Sequence, residues 1–104
     1  MKDEVERIVS FAEYVPARRQ LRLILTDGSE HFIPIECLQM ERWNGHTMET
    51  LPRPKDSQLA KVSVWGGGRS VLFPDLEQMF SAEDLIAGRY GDREWMSAIA
   101  VSAV

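Results

Sequence analysis

Cys37, His31 and His46 are the chain's only thiol and imidazole side chains, so their spacing decides whether thiolate or metal chemistry is on offer. A zinc site wants four ligands, and three residues without C-x-x-C or H-x-x-x-H spacing do not supply them. A nucleophilic cysteine needs a base that favours its thiolate. His31 lies six positions before Cys37, and nothing in the flanking residues forces the two together. The plainer expectation is a small buried hydrophobe at Cys37, with the histidines on a strand and a loop. Asp75 and Glu77 are spaced to act as an acid–base pair, yet carboxylates on a loop after a strand usually serve solvation or capping. The run Gly66, Gly67, Gly68, Arg69 invites a phosphate-binding reading. Such a loop must open into a helix whose N–H groups converge on the anion, and here strand-forming Ser70, Val71, Leu72 and Phe73 follow, so a hairpin turn is expected. A ligand site is therefore expected, if anywhere, around Gly66, Gly67, Gly68, Arg69, Asp75 and Glu77. No catalytic residue, metal ligand or cofactor is assigned.

The remaining candidates are apolar. Tryptophan is enriched both at binding hot spots and in cores. Trp65, in an alternating segment, is expected in the core. Trp95 heads a ten-residue stretch to Val104 without a charged side chain. Such a stretch must find apolar cover, which makes Trp95, Met96, Ile99 and Val101 the candidate partner interface, in a homodimer or by docking on their own domain.

Charge narrows the partners. The net charge is −4, and the nearest approach to a basic cluster is Arg18, Arg19 and Arg22 with Glu13 close by. Nucleic-acid binding leans on clustered cations, so that partner is not expected, and the arginines read as guards of a strand edge. One cysteine allows no intrachain disulfide. The first seven residues carry charges rather than an apolar run, and no apolar stretch approaches membrane-spanning length, so a cytoplasmic, non-membrane protein is expected.

The elements that must position these residues follow from local pattern. A chain of 104 residues is expected to form one domain. Residues 6–15 are rich in β-branched and aromatic side chains and read as a strand ended by Pro16. In 20–26, Leu21, Leu23 and Leu25 alternate with Gln20, Arg22 and Ile24, a half-buried strand. Asp27-Gly28 is a strong hairpin signal, and 29–35 is the return strand. A one-sided stripe predicts a helix over 36–43, ended by Asn44-Gly45. Residues 46–55 are expected to be irregular because of Pro52 and Pro54, with a brief turn capped by Asp56 or Ser57. Strands over 61–65 and 70–73 flank the glycine turn, and Pro74 breaks the second. Ser81 and Gly88 bracket a helix over 81–87. The apolar stretch at the end is open between a helix (about 93–102), a strand and a loose tail. The sum is an α+β fold of antiparallel hairpins with short helices.

Two blocks together resemble a known bacterial family, domain of unknown function 2442. One is the strand, Leu21-Arg22-Leu23-Ile24-Leu25-Thr26-Asp27-Gly28 and the proline-ended return. The other is Gln58-Leu59-Ala60-Lys61-Val62, the glycine turn, Val71-Leu72-Phe73-Pro74-Asp75-Leu76-Glu77, and 80–88. The resemblance covers about residues 6–90 and leaves 95–104 as an apolar tail. Family members usually carry an acidic pair after the Leu of the Pro-acidic-Leu element, whereas Leu76 is followed here by Glu77 and Gln78. The resemblance implies a small α+β fold and no assigned activity. It also implies a small accessory partner, in the manner of toxin–antitoxin pairs. The expected function is accordingly a non-enzymatic protein-interaction module. The alternatives are a DNA-associated accessory of transcription, and a ligand sensor or enzyme with its site near the glycine turn.

Overall fold

The structure, a computed structural model, describes residues 7–102. Three small antiparallel sheets and three short helices make an α+β fold. The first sheet holds β1 (Val9–Val15), β2 (Gln20–Leu25) and β3 (Glu30–Pro34) in sequence order. Alternation in β2 does what its pattern dictates: Leu21, Leu23 and Leu25 are buried, and Gln20, Arg22 and Ile24 lie between them at half exposure. The Asp27-Gly28 turn closes as expected. Gly28 takes φ +89°, and the Asp27 carboxylate accepts from both the N–H and the hydroxyl of Ser29, which holds that carboxyl below its usual range.

The predicted helix over 36–43 does not form. Ile35–Cys37 make one turn of 3-10 helix, Leu38 is already extended, and Glu41–Trp43 form β4. The stripe that suggested a helix was an alternation: Leu38 and Met40 are buried and Gln39 between them is not. Asn44-Gly45 is therefore a hairpin turn rather than a helix stop. The Asn44 side-chain oxygen accepts from the N–H groups of His46 and Thr47, and Gly45 takes φ +102°. The chain returns as β5 (Met48–Thr50), inside the stretch expected to be irregular.

After Pro54 comes α1 (Asp56–Leu59), whose Leu59 is fully buried. The third sheet holds β6 (Ser63–Trp65), β7 (Ser70–Phe73) and β8 (Gln78–Ser81). All three glycines of the β6–β7 turn have positive φ. At Gly68 a Cβ would lie 2.6 Å from the Val9 carbonyl oxygen, so this turn packs directly on the first sheet. Pro74 does not end the sheet. A 3-10 turn and Glu77, at φ 54°, reverse the chain into β8, which sequence reading omits. Ser81 then caps α2 (Ala82–Ile86) by accepting from the Asp84 N–H, as expected. Gly88 and Arg89 donate to the carbonyls of Leu85 and Asp84, a Schellman ending. The last element, α3 (Arg93–Ser102), takes the helical option for the apolar stretch. The first and third sheets share one core, with Leu21, Leu23 and Ile33 from the first, Val71 and Phe73 from the third, and Leu59 and Leu85 from the helices.

Candidate protein-binding groove

The β4–β5 hairpin organises the surface beside α3. Trp43 pairs across the strands with Met48, Arg42 with Glu49 and Glu41 with Thr50. Side chains alternate between faces, so Glu41, Trp43, Met48 and Thr50 share one face, and Arg42 and Glu49 the other. Trp43 is 62% exposed and Met48 53%, values that buried hydrophobes never show. At the base of the hairpin Thr50 borders a groove of about 270 Å³ lined by Ile35, Leu38, Met40, Leu51, Pro54 and Trp95 together with Glu36 and Arg53. Arg42 carries the charged face into a second cleft, of about 300 Å³, where Arg53, Lys55 and Gln58 share the walls with Asp75 and Glu77. Leu51 and Arg53 stand between the two.

Each wall is tied to the core. Arg19, in a left-handed backbone conformation (φ 49°), spans three segments. Its guanidinium donates to Glu36 (2.8 Å), Asp56 (3.0 Å), the Pro54 carbonyl (3.0 Å) and the Tyr14 hydroxyl (3.3 Å), and Tyr14 in turn donates to Asp56. The Arg19 hydrogen bond holds the Glu36 carboxyl below its ordinary value, and burial raises the Tyr14 hydroxyl. The hairpin is pinned by Gln78, whose amide donates to the Glu41 carbonyl (2.8 Å) and accepts from the Glu41 N–H (3.3 Å), as a paired strand residue would.

The α3 wall is docked on its own domain. Trp95 donates its indole N–H to the Cys37 carbonyl (2.7 Å). Asp92 caps the helix through the Trp95 N–H, and Gln39 bridges to Asp92 and accepts its N–H. Gly91 leaves the room for this: a Cβ there would lie 2.5 Å from Trp95 and 2.6 Å from Gln39. Of the tail residues singled out from sequence, Trp95, Met96 and Ile99 are half-buried along one side of α3, and Met96 accepts the Tyr90 N–H. The Val101 side chain lies outside the described residues.

Other sequence candidates fare unevenly. Trp65, expected in the core, is 56% exposed on the outer face of the third sheet, because β6 turns Val64 inward. The proposed ligand set is split. Gly66, Gly67, Gly68 and Arg69 stand at one end of β7, while Asp75 and Glu77 stand at the other, where Asp75 pairs with Lys61 (3.1 Å). Cys37 sits in the 3-10 turn, not on a helix, and burial pushes its thiol up, away from the reactive thiolate. His31 in β3 meets the Ser29 hydroxyl, and His46 is exposed at the hairpin tip. No cluster of three or more His, Cys, Asp or Glu among the described residues is placed to hold a metal. Arg19 and Arg22 are engaged by carboxylates, Arg22 by Glu13 (2.7 Å) and Glu30.

Two other apolar surfaces compete with the groove, and the one on the third sheet borders a cleft of about 260 Å³ through Met79 and Ser81. On the first sheet, Phe11, Ile24 and Phe32 share a face with the Glu13–Arg22–Glu30 ion pairs. On the third, Trp65, Leu72 and Met79 share a face with Ser63, Ser70 and Ser81. Sequence reading missed Trp43, Met48, Leu51 and Pro54 as members of one surface. The signal that could have found it was the Asn44-Gly45 turn between two three-residue alternations.

Comparison with known proteins finds no matching family model and no matching curated protein. No helix among the described residues is long and apolar enough to cross a membrane. Two solved structures share the fold. A solution structure of an uncharacterised protein from Chromobacterium violaceum has a TM-score of 0.63 at 24% identity, over 88% of this chain and 74% of that one. The crystal structure of a protein of unknown function from Rhodospirillum rubrum ATCC 11170 has a TM-score of 0.73 at 24% identity, over 88% of this chain and 99% of that one, so the present chain is similar in fold to that protein along nearly all of its length.

Proposed function

We propose that the chain is a non-enzymatic protein-interaction module of the cytoplasm, and that its contact surface is the apolar face of the β4–β5 hairpin with the groove at its base. One observation carries the reading. Trp43 and Met48 are more than half exposed side by side on one face of a hairpin whose base borders a mainly apolar groove. Paired exposed apolar side chains cost solvation free energy unless a partner covers them, and tryptophan is enriched among the side chains that dominate binding. Kinship with the domain of unknown function 2442 family is part of the proposal, as is the role of a small accessory partner that it implies.

The test is site-specific. With Trp43 or Met48 replaced by a benzophenone-bearing phenylalanine in the native host, irradiation is expected to give protein adducts. The same group at exposed Ser57 on α1 is expected to give none. Absence of protein adducts from 43 and 48 contradicts the reading.

The charged cleft supports a second reading, a small ligand carrying both signs, because Arg42, Arg53 and Lys55 there share the walls with Asp75 and Glu77. Titration with free glutamate, followed by amide shifts at Gln58 and Glu77, tests it. Unmoved resonances discard it.

A further inference from the structure

The β4–β5 hairpin leaves one main-chain edge open. The Asn44 N–H donates to the Thr47 carbonyl and the Leu51 N–H to the Met40 carbonyl, so the hydrogen-bonded pairs of this ladder are Asn44–Thr47, Arg42–Glu49 and Met40–Leu51. The residues between them aim their N–H and C=O groups away from the partner strand. On β4, Gln78 takes up both groups of Glu41. On β5 the outward residues are Met48 and Thr50, both exposed, and no hydrogen bond among the described residues reaches the main chain of either. The free edge of β3 differs, because its outward residues are Glu30, Phe32 and Pro34, and Pro34 has no N–H to give. We infer that β5 receives an added strand: an extended segment of another protein, antiparallel along 48–51, with a cation opposite Glu49 and an apolar side chain opposite Leu51.

The main chain names the class of partner. Met48 and Thr50 each offer a donor and an acceptor, repeated about 6.8 Å apart, and an extended backbone is the group that matches that spacing. Charge names the residue between them. The Glu49 carboxylate is half exposed and meets Arg42 of β4 at only 3.8 Å. Its neighbour on the open side is the incoming residue, and a cation there completes a row of alternating sign across three strands, whereas an acid would stand beside a like charge. Apolar cover names the remaining two. A side chain opposite Met48 falls on the face of Met48 and Trp43, and extends their exposed pair. A side chain opposite Leu51 meets the groove that Thr50 and Leu51 border, whose volume of about 270 Å³ and mainly apolar lining suit one apolar side chain. Read along the incoming chain, the pattern is apolar, unspecified, cationic, apolar. The inference deepens the interaction-module reading and rests on it.

The probe is the peptide acetyl-Ser-Leu-Thr-Lys-Val-Ser-amide, titrated to about 5 mM into the isotope-labelled full chain and followed by nuclear magnetic resonance. Saturable shifts of the Met48 and Thr50 amides, with slowed exchange of both, are the expected result. Methylating the backbone nitrogens of the peptide's threonine and valine removes the two donors that would face β5, and should weaken binding at least about fivefold. Glutamate in place of the peptide's lysine should weaken it at least about threefold. Thr50→Pro removes one outward N–H of the protein without breaking a hydrogen bond of the hairpin, and should weaken the parent peptide by about the same factor as one lost donor. Unmoved Met48 and Thr50 amides overturn the inference. Equal binding of the methylated peptide also overturns it, because the contact would then be made by side chains alone, and equal binding of the glutamate peptide overturns the cation opposite Glu49. Benzophenone adducts from 43 and 48 beside any of these results would leave the interaction-module reading standing.

Discussion

Replacing Arg19 tests whether one side chain holds a wall of the groove. In Arg19→Ala the ion pairs to Glu36 and Asp56 disappear, as do the bonds to the Pro54 carbonyl and the Tyr14 hydroxyl. The carboxylate partners are 49% and 62% exposed, so each pair is screened by solvent and contributes only about 0.5 kcal/mol. The charged donor on the Pro54 carbonyl adds about 1 kcal/mol. The guanidinium itself is only 21% exposed, and loss of its packed stem adds roughly another 1 kcal/mol. Arg19→Ala should therefore lose about 2–3 kcal/mol in urea unfolding followed by far-ultraviolet circular dichroism, a Tm fall of about 10–20 °C for a domain this size. The backbone at position 19 gives an internal control. Alanine keeps the left-handed strain that arginine tolerated, whereas Arg19→Gly relieves about 1–2 kcal/mol of it and adds about 0.5–1 kcal/mol of unfolded-chain entropy. The glycine variant should be the more stable of the two by about 0.5 kcal/mol. A loss below about 0.5 kcal/mol in Arg19→Ala would refute the clamp, and a glycine variant less stable than the alanine one would refute the backbone strain at position 19.

Three further outcomes follow from the same geometry. The Glu36 carboxyl is held below its ordinary value by Arg19, so the unfolded chain binds its proton first as pH falls; the stability from this pair is complete above about pH 4.3 and lost as pH drops through the lower folded value. The gap between parent and Arg19→Ala in urea midpoint should shrink from pH 7 to pH 3, and a constant gap would show that the pair contributes nothing. Gly91→Ala places a methyl 2.5 Å from Trp95, so the Trp95–Cys37 hydrogen bond should open. At about 1 kcal/mol, that speeds exchange of the Trp95 indole proton roughly fivefold by nuclear magnetic resonance, and an unchanged rate contradicts the docking of α3. Gln78→Ala unties the hairpin from the third sheet and should speed amide exchange at Glu41 by a similar factor, with Leu72 in β7 unaffected; equal protection at Glu41 would mean that the hairpin stands without it.

Local chemistry was legible wherever one residue type decides a conformation. Asp27-Gly28, Ser81 and Gly88 each perform the step their side chains, or lack of one, prescribe. Errors arose where one pattern serves two conformations. Leu38 and Met40 fit a helical stripe and a strand alternation equally over so short a span, and Asn44-Gly45 stops a helix or turns a hairpin with the same positive φ. Trp65 misled because its segment alternates, and the face it occupies is set by where β6 packs, not by its own hydrophobicity. The groove was the least legible feature. Its walls come from residues 35–40, 50–54 and 95, brought together by Arg19, Gln39 and Gln78 through long-range polar contacts that no local spacing encodes. Only Trp95 was foreseeable, from the uncharged stretch it heads.

The central claim, that the hairpin face is covered by protein while other exposed hydrophobes are not, has a built-in comparison. Trp43 and Met48, at 62% and 53% exposure, are matched by Trp65 and Met79 at 56% and 54% on the third sheet. Hydroxyl-radical labelling in native cells and of the dilute purified chain, read by mass spectrometry at these four residues, compares the two surfaces directly. Protection of Trp43 and Met48 in cells, with Trp65 and Met79 labelled equally in both, is the predicted result. Equal labelling of all four under both conditions would contradict the account.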